Sequence, residues 1–307
     1  MNTQPAVEVL TAREVPLGGP RAMLVRRTLP QRHRSLIGAW CFIDHYGPQD
    51  VSVSAGMDVA PHPHTGLATV SWLFAGEIEH RDSDGVHAMV RPGELNLMTA
   101  GAGICHSEVS TGTTTILHGA QLWLALPDAV RNGPRRFDHH VPQPVSVRGA
   151  SLRVFLGELA GSVSPVPTVT PLLGAEVVID PQATVSLPVD PGFEHGVLVD
   201  KGAATIGETM LSAGDLAYQG VGATAVSIAN TGSTPLRCLL LGGTPFAEPI
   251  IMWWNFIGRT HEEIVEYRAQ WQDRTERFGT VNGYVGERAW IPAPTLPGTR
   301  LRPRHHP

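Results

Sequence analysis

The sequence has few cysteines, no runs of like charge, no long apolar stretches and little helical periodicity, and each shortage excludes a class of protein. Its three cysteines, Cys41, Cys105 and Cys238, are far apart, odd in number and lack Cys-x-x-Cys spacing. That excludes a disulfide framework and suits a reducing cytoplasm. No stretch of about 18 apolar residues is available to span a bilayer, and no basic segment followed by an apolar one opens the chain as a secretory leader. The formal net charge of −5 comes without a basic stripe, so the expectation is no nucleic-acid surface and no membrane association. Arg26 with Arg27 and Arg135 with Arg136 are too short to reverse this.

What is present is strand and turn. The chain has 307 residues and 42% hydrophobic content, comfortable for two cores, with Gly 33 and Pro 26 marking many turns. Short β-type runs such as "GLATVSWLFAG", "HAMVRPGELNLMTAG" and "SLRVFLGELAG" recur between turn signals. "DSDG" at 82–85 is a strong hairpin signal. The expectation is an all-β sandwich or barrel. Residues 138–150, "DHHVPQPVSVRGA", lack periodicity and carry two prolines, so the domain boundary is expected there, giving residues 1–140 and 141–307. The halves share a weak repeat, each reaching a Gly-Glu-Leu (93–95) or Gly-Asp-Leu (214–216) step. One helix is expected from near Thr260, capped by Thr260 with Glu263, striped by Ile264, Tyr267, Arg268 and Trp271, and ending around Phe278 and Gly279. "HEEIV" at 261–265 lacks the second histidine of a zinc-protease motif.

Fourteen histidines exceed what composition needs, and "PHPHTG" at 61–66 holds two of them. On extended backbone, residues two apart share a face, so His62 and His64 project together with Pro63 opposite. "ICHSE" repeats the device: His106 and Glu108 share a face and Cys105 points the other way, a buried structural thiol. If the two segments are neighbouring strands, three imidazoles and a carboxylate converge with coordination positions left open. Such a mixed set favours Fe(II), Mn, Ni or Cu over structural zinc, which prefers thiolates. In the second half Glu194 and His195 are adjacent, face opposite ways and cannot converge, so that half is expected to be metal-free. His80 and His87 flank the "DSDG" hairpin and, with His118, are expected at turns or on the surface. His139, His140, His305 and His306 lie in polar, proline-flanked segments suited to adventitious metal binding.

The runs "PHPHTGLATVSWLFAGEIEHRDSDG", "RPGELNLMTAGAGICHSE" and "GAQLWLALP", with "RRTLPQRHRSLIGAWCFIDHYGP" upstream and "GGTPFAEPIIMWWNFIGRTHEEI" downstream, resemble the pirin family of bicupins. The resemblance implies two stacked cupin-type antiparallel β-barrels, a C-terminal helix, and one mononuclear iron in the N-terminal barrel only. Its metal ligands fall on His62, His64, His106 and Glu108. Fe(II) is the first expectation, with Mn, Ni, Cu, Co or Zn as alternatives. The family pattern H-x-H-R-G-F-E reads here Thr65, Gly66, Leu67 and Ala68 in its last four positions, so only the glycine is kept and a glutamate expected beside the metal cluster is replaced by Ala68. Two functions are implied. One is quercetin 2,3-dioxygenase activity: O₂-dependent opening of a flavonol-like aromatic substrate with release of carbon monoxide, Glu108 taking the 3-hydroxyl proton as catalytic base. Trp72, Phe74, Met98 and Trp123 are then pocket-wall candidates. The other is a non-enzymatic, redox-responsive regulator that binds a protein partner.

Overall fold

The computed structural model describes residues 5–17, 23–53 and 56–303; His305 and His306 lie outside them. The expected strand-and-turn grammar governs the chain, with some strands buried along most of their length and others alternating. Thr184–Pro188 and Ile78–Asp82 each bury every second side chain, the period of a half-buried strand. Among the described residues there is one helix of regular length, α1 (His261–Gln272), and no helix long and apolar enough to cross a membrane.

The chain divides into two compact units: Met1–Arg13 with Arg26–His45 and His140–Phe246, and Glu14–Val25 with Tyr46–His139 and Ala247–Pro307. In the first, one sheet has the order Val7–Leu10, Leu216–Gln219, Glu194–Lys201, Leu236–Gly243, Leu172–Ile179, Ala150–Leu156, Val145–Val147. A second runs Thr184–Pro188, Ala225–Asn230, Ala204–Ile206, Thr209–Leu211. Val177, Val199, Ala217, Val226, Ile228 and Leu240 from both sheets share one apolar core. In the second unit a four-stranded antiparallel sheet runs Asp58–His64, Ile104–Ser110, Ile78–Asp82, His87–Val90. The strands Arg136–His140, Leu95–Thr99, Leu67–Ala75 and Ile116–Ala125 are neighbours in that order in a second sheet. Each unit thus has the two-sheet antiparallel build of a cupin domain. The repeat is visible at its turns: Gly93 (φ +74) and Gly214 (φ +94) both take the left-handed conformation that glycine alone adopts freely, just before Leu95–Thr99 and Leu216–Gln219.

The structure differs from expectation in two places. The boundary at 140/141 places everything beyond it, including the helix, in the second domain. Instead Ala247–Pro307 belongs to the unit built on Tyr46–His139. Ile264, Tyr267 and Trp271 form a cluster with Cys105, Phe256 and Phe278, so this late segment covers the face of the Ile104–Ser110 strand that carries Cys105. Cys105 is thereby packed among apolar side chains and kept from water. The helix starts as expected, Thr260 accepting from the Glu263 N–H at 3.2 Å, but it ends earlier. Asp273 is the C-cap, its N–H bonded to Ala269 O, and Arg274 turns left-handed at φ +53. Gly279 (φ +67) serves a later turn.

Candidate metal centre

The site begins on an edge strand. In Asp58–His64 every residue but the first is buried. Pro63 is tolerated because an edge strand pairs on one side only, where the missing N–H need not interrupt the ladder. The neighbouring strand sets the register: His106 lies opposite His62, Ile104 opposite His64 and Cys105 opposite Pro63. All three imidazoles therefore leave one face of the sheet. Beyond His106 the pairing shifts, Glu108 meeting Val59, so the His62 strand holds an extra residue there, a β-bulge beside the site.

Geometry brings the imidazoles into contact. His64 Nε2 and His106 Nε2 are 3.0 Å apart, and the His62 ring lies 4.3 Å from His106 and 5.1 Å from His64 between centroids. His62 Nδ1 bonds to the Ala60 carbonyl at 3.0 Å, which makes Nδ1 the N–H and leaves Nε2 as a lone pair. Burial pushes His62 down to about 4, the Ala60 carbonyl opposing. Burial also holds His64 and His106 well below the ordinary histidine range, with the His62 charge adding to it. These are neutral rings at physiological pH, the form that ligates. Two nitrogens each about 2.1 Å from one cation and a right angle apart would be separated by about 3 Å, so the donor set fits a metal ion. His62, His64 and His106 present ligand atoms all within 4.8 Å of one another.

Glu108 enters through a second set. Its carboxylate lies within that same 4.8 Å of His106 and His80, while the group that holds His62 and His64 does not include it. His106 belongs to both sets. Burial raises the Glu108 carboxyl, with His80 and a Ser71 hydrogen bond pulling it back. Ser71 Oγ is 3.2 Å from Glu108 Oε1 and 3.0 Å from Gln121 Oε1, so its single proton serves one of them at a time.

The expectation that His80 and His118 lie at turns or on the surface is overturned: they are 3% and 6% exposed. His80 pairs across from Glu108 and its Nδ1 lies 3.4 Å from His106 Nδ1. The signal was there to be read. His80 and Asp82 are spaced two apart on a strand, like the pairs already singled out. His87 is exposed, paired with Glu79 at 2.9 Å, and His139 bonds to Asn96 Oδ1 at 2.7 Å. In the other unit Glu194 accepts from Tyr218 Oη and the Gly38 N–H, while His195, next to it on the strand, has its ring 6.3 Å from that of Phe193.

Register also sorts the wall candidates. Thr69 pairs with both Trp123 and Met98, and Ser71, two residues on, reaches Glu108. Trp123 and Met98 therefore share the site's face, and the Trp123 ring stands edge-on 5.1 Å from His64. Trp72 alternates to the opposite face, and Phe74 packs on His118 at 5.0 Å. Ala68 also alternates away, opposite Leu124 and Thr99. The glutamate it replaces would thus start from the reverse side of this sheet, not beside the imidazoles. Cys105 is buried as expected, its thiol pushed up to about 11 by burial.

Two antiparallel two-sheet domains, one gathering buried imidazoles that could hold a metal on a single face, define the class: a bicupin. Residues 22–124 match the pirin family model and residues 174–279 that of the pirin C-terminal cupin domain, and the chain belongs to the pirin family. A Pseudomonas aeruginosa protein named as a candidate quercetin 2,3-dioxygenase is 40% identical over 289 residues, covering 94% of this chain and 90% of that protein. A crystal structure of quercetin 2,3-dioxygenase from Acinetobacter baumannii superposes with a TM-score of 0.91 at 38% identity, covering 97% of each chain. A bacterial pirin from Escherichia coli, solved with nickel(II), shares the fold at 20% identity, with a TM-score of 0.60 over 78% of this chain and all of that one.

Proposed function

We propose that the protein is a mononuclear non-haem iron dioxygenase that opens the heterocycle of a flavonol, with His62, His64, His106 and Glu108 holding the ion. The observation that carries this reading is the convergence of three neutral, buried imidazoles with Glu108 beside one of them. The similarity to the P. aeruginosa protein and the A. baumannii enzyme supports the reaction class. Fe(II) is proposed because a mixed nitrogen and oxygen donor set with open positions suits it. Nickel, present in the E. coli pirin, and Mn, Cu, Co or Zn are the competing occupants. When bound, the ion supplies Lewis acidity and access to dioxygen.

The chain's own residues do the rest. Trp123 and Met98 offer a flat aromatic substrate an apolar wall on the face that carries the histidines. Glu108 takes the proton from the flavonol 3-hydroxyl, its basicity favoured by burial. Ser71 orients the carboxylate by donating to Oε1. The test is ultraviolet monitoring of quercetin in air with iron-loaded protein, together with carbon monoxide detection. Loss of the flavonol band with stoichiometric CO supports the enzyme. No turnover at full occupancy overturns it and leaves the protein-binding regulator.

A further inference from the structure

The two ring nitrogens of His106 face different neighbours. Nε2 lies 3.0 Å from His64 Nε2, and Nδ1 lies 3.4 Å from His80 Nδ1. His80 in turn sets its Nε2 3.3 Å from Asp82 Oδ2. The other oxygen of Asp82 accepts the backbone N–H groups of Asp84 at 2.9 Å and Val86 at 3.0 Å. The hairpin that carries the carboxylate is closed by Asp82 N–H to Val86 O at 3.0 Å, and Ser83 N–H bonds to Cys105 O on the neighbouring strand at 2.9 Å. His80 and Asp82 are each 3% exposed, and the Phe137 ring lies 5.0 Å from His80.

We infer that His80, backed by Asp82, is a positioning residue that fixes the tautomer and ring orientation of His106 so that Nε2 is presented to the metal. The inference rests on the reading of His106 as a ligand. The hydrogen-bond arithmetic allows one order of protons. A neutral His106 that offers its Nε2 lone pair carries its proton on Nδ1. His80 Nδ1 must then accept, which places the His80 proton on Nε2, where it meets the Asp82 carboxylate. Every donor finds an acceptor. The reverse order would aim a His80 lone pair at a carboxylate oxygen and a His106 N–H at the metal position. A carboxylate that holds a histidine, which in turn holds a ligating histidine, extends by one ring the support such ligands commonly receive.

The test compares His80→Phe, which keeps a ring but has no acceptor, with His80→Asn, whose carboxamide oxygen can take the His106 Nδ1–H. Each full-length protein is titrated with Co(II) against a competing chelator, and nitrogen NMR of the metal-free protein reports the His106 tautomer. The expected result is that His80→Phe weakens Co(II) binding about 10- to 100-fold and mixes the tautomers. His80→Asn should recover most of the affinity and the Nδ1–H form. If His80→Phe binds Co(II) like wild type, or His80→Asn is no better than His80→Phe, the positioning role is overturned while the metal site stands. Wild-type protein that binds no equivalent of metal overturns both.

Discussion

At His62 and His64 the chain commits two neutral imidazoles to one spot, and truncating either removes one of the three ring donors gathered there. His62→Ala and His64→Ala are each expected to abolish stoichiometric iron in protein purified without a histidine tag, as read by elemental analysis. A full equivalent retained in both would remove them from the ligand set. Glu108 separates holding the metal from taking a proton. Glu108→Gln is expected to bind metal more weakly and, once saturated, to stay slow by about 10²-fold or more, because an amide cannot act as a base near neutral pH. Occupancy and turnover are measured in the same sample, and a wild-type rate at full occupancy would leave Glu108 a ligand only. The ligand pairs were legible from spacing because residues two apart on a strand share a face whatever the strand packs against. By the same rule His80 with Asp82 was legible too. Reading the hairpin they flank as a surface turn hid it, since a turn's tip is exposed while its last strand residues need not be.

At the scale of elements, α1 shows what local chemistry settles and what it leaves open. Thr260 accepts the Glu263 N–H, satisfying one of the donors that every helix start leaves bare. Thr260→Ala is expected to cost about 1 kcal/mol, seen as a lower midpoint in urea at unchanged slope. Thr260→Ser should cost little. Glu263 itself reaches the Arg259 N–H and Arg131, so the cap is tied to the loop around Arg131 as well as to its own helix. Gly279 is a sound stop signal in sequence, yet the helix ends at Asp273 with a backbone bond that no side chain advertises.

For the whole molecule, buried histidines make stability depend on pH. In the folded protein burial lowers both His62 and His195 to about 4 from an ordinary 6.5. As pH falls below 6.5 the unfolded chain takes up protons that the folded one refuses, so stability drops between pH 6.5 and about 4. Below that the folded rings protonate as well and the loss levels off. The loss is on the order of 3 kcal/mol for His62 alone. Chemical unfolding of chelator-treated protein at pH 7.5, 6 and 5 should show this decline, and a flat profile would contradict the neutral buried rings. Metal removal should itself lower the melting temperature, because an ion that binds only the folded state adds about 4 kcal/mol at a thousand times its Kd. His62→Ala should lose that dependence on metal.

The sequence alone determined the features that depend on neighbours along the chain. These are the strand period that pairs His62 with His64 and His106 with Glu108, the turn at 82–85, the glycines before Leu95 and Leu216, and the threonine that starts the helix. Only the tertiary structure decided which strands lie side by side and in what register. That choice put His80 against His106, turned Ala68 and Trp72 to the far face, placed Glu108 in a set with His80, and brought side chains from Ile251 to Leu301 over the Cys105 face of the Ile104–Ser110 strand. The physical reason is that pairing between distant strands is selected by burying apolar faces all at once. A slip of one residue, invisible in any local window, would send every one of these side chains to the other side.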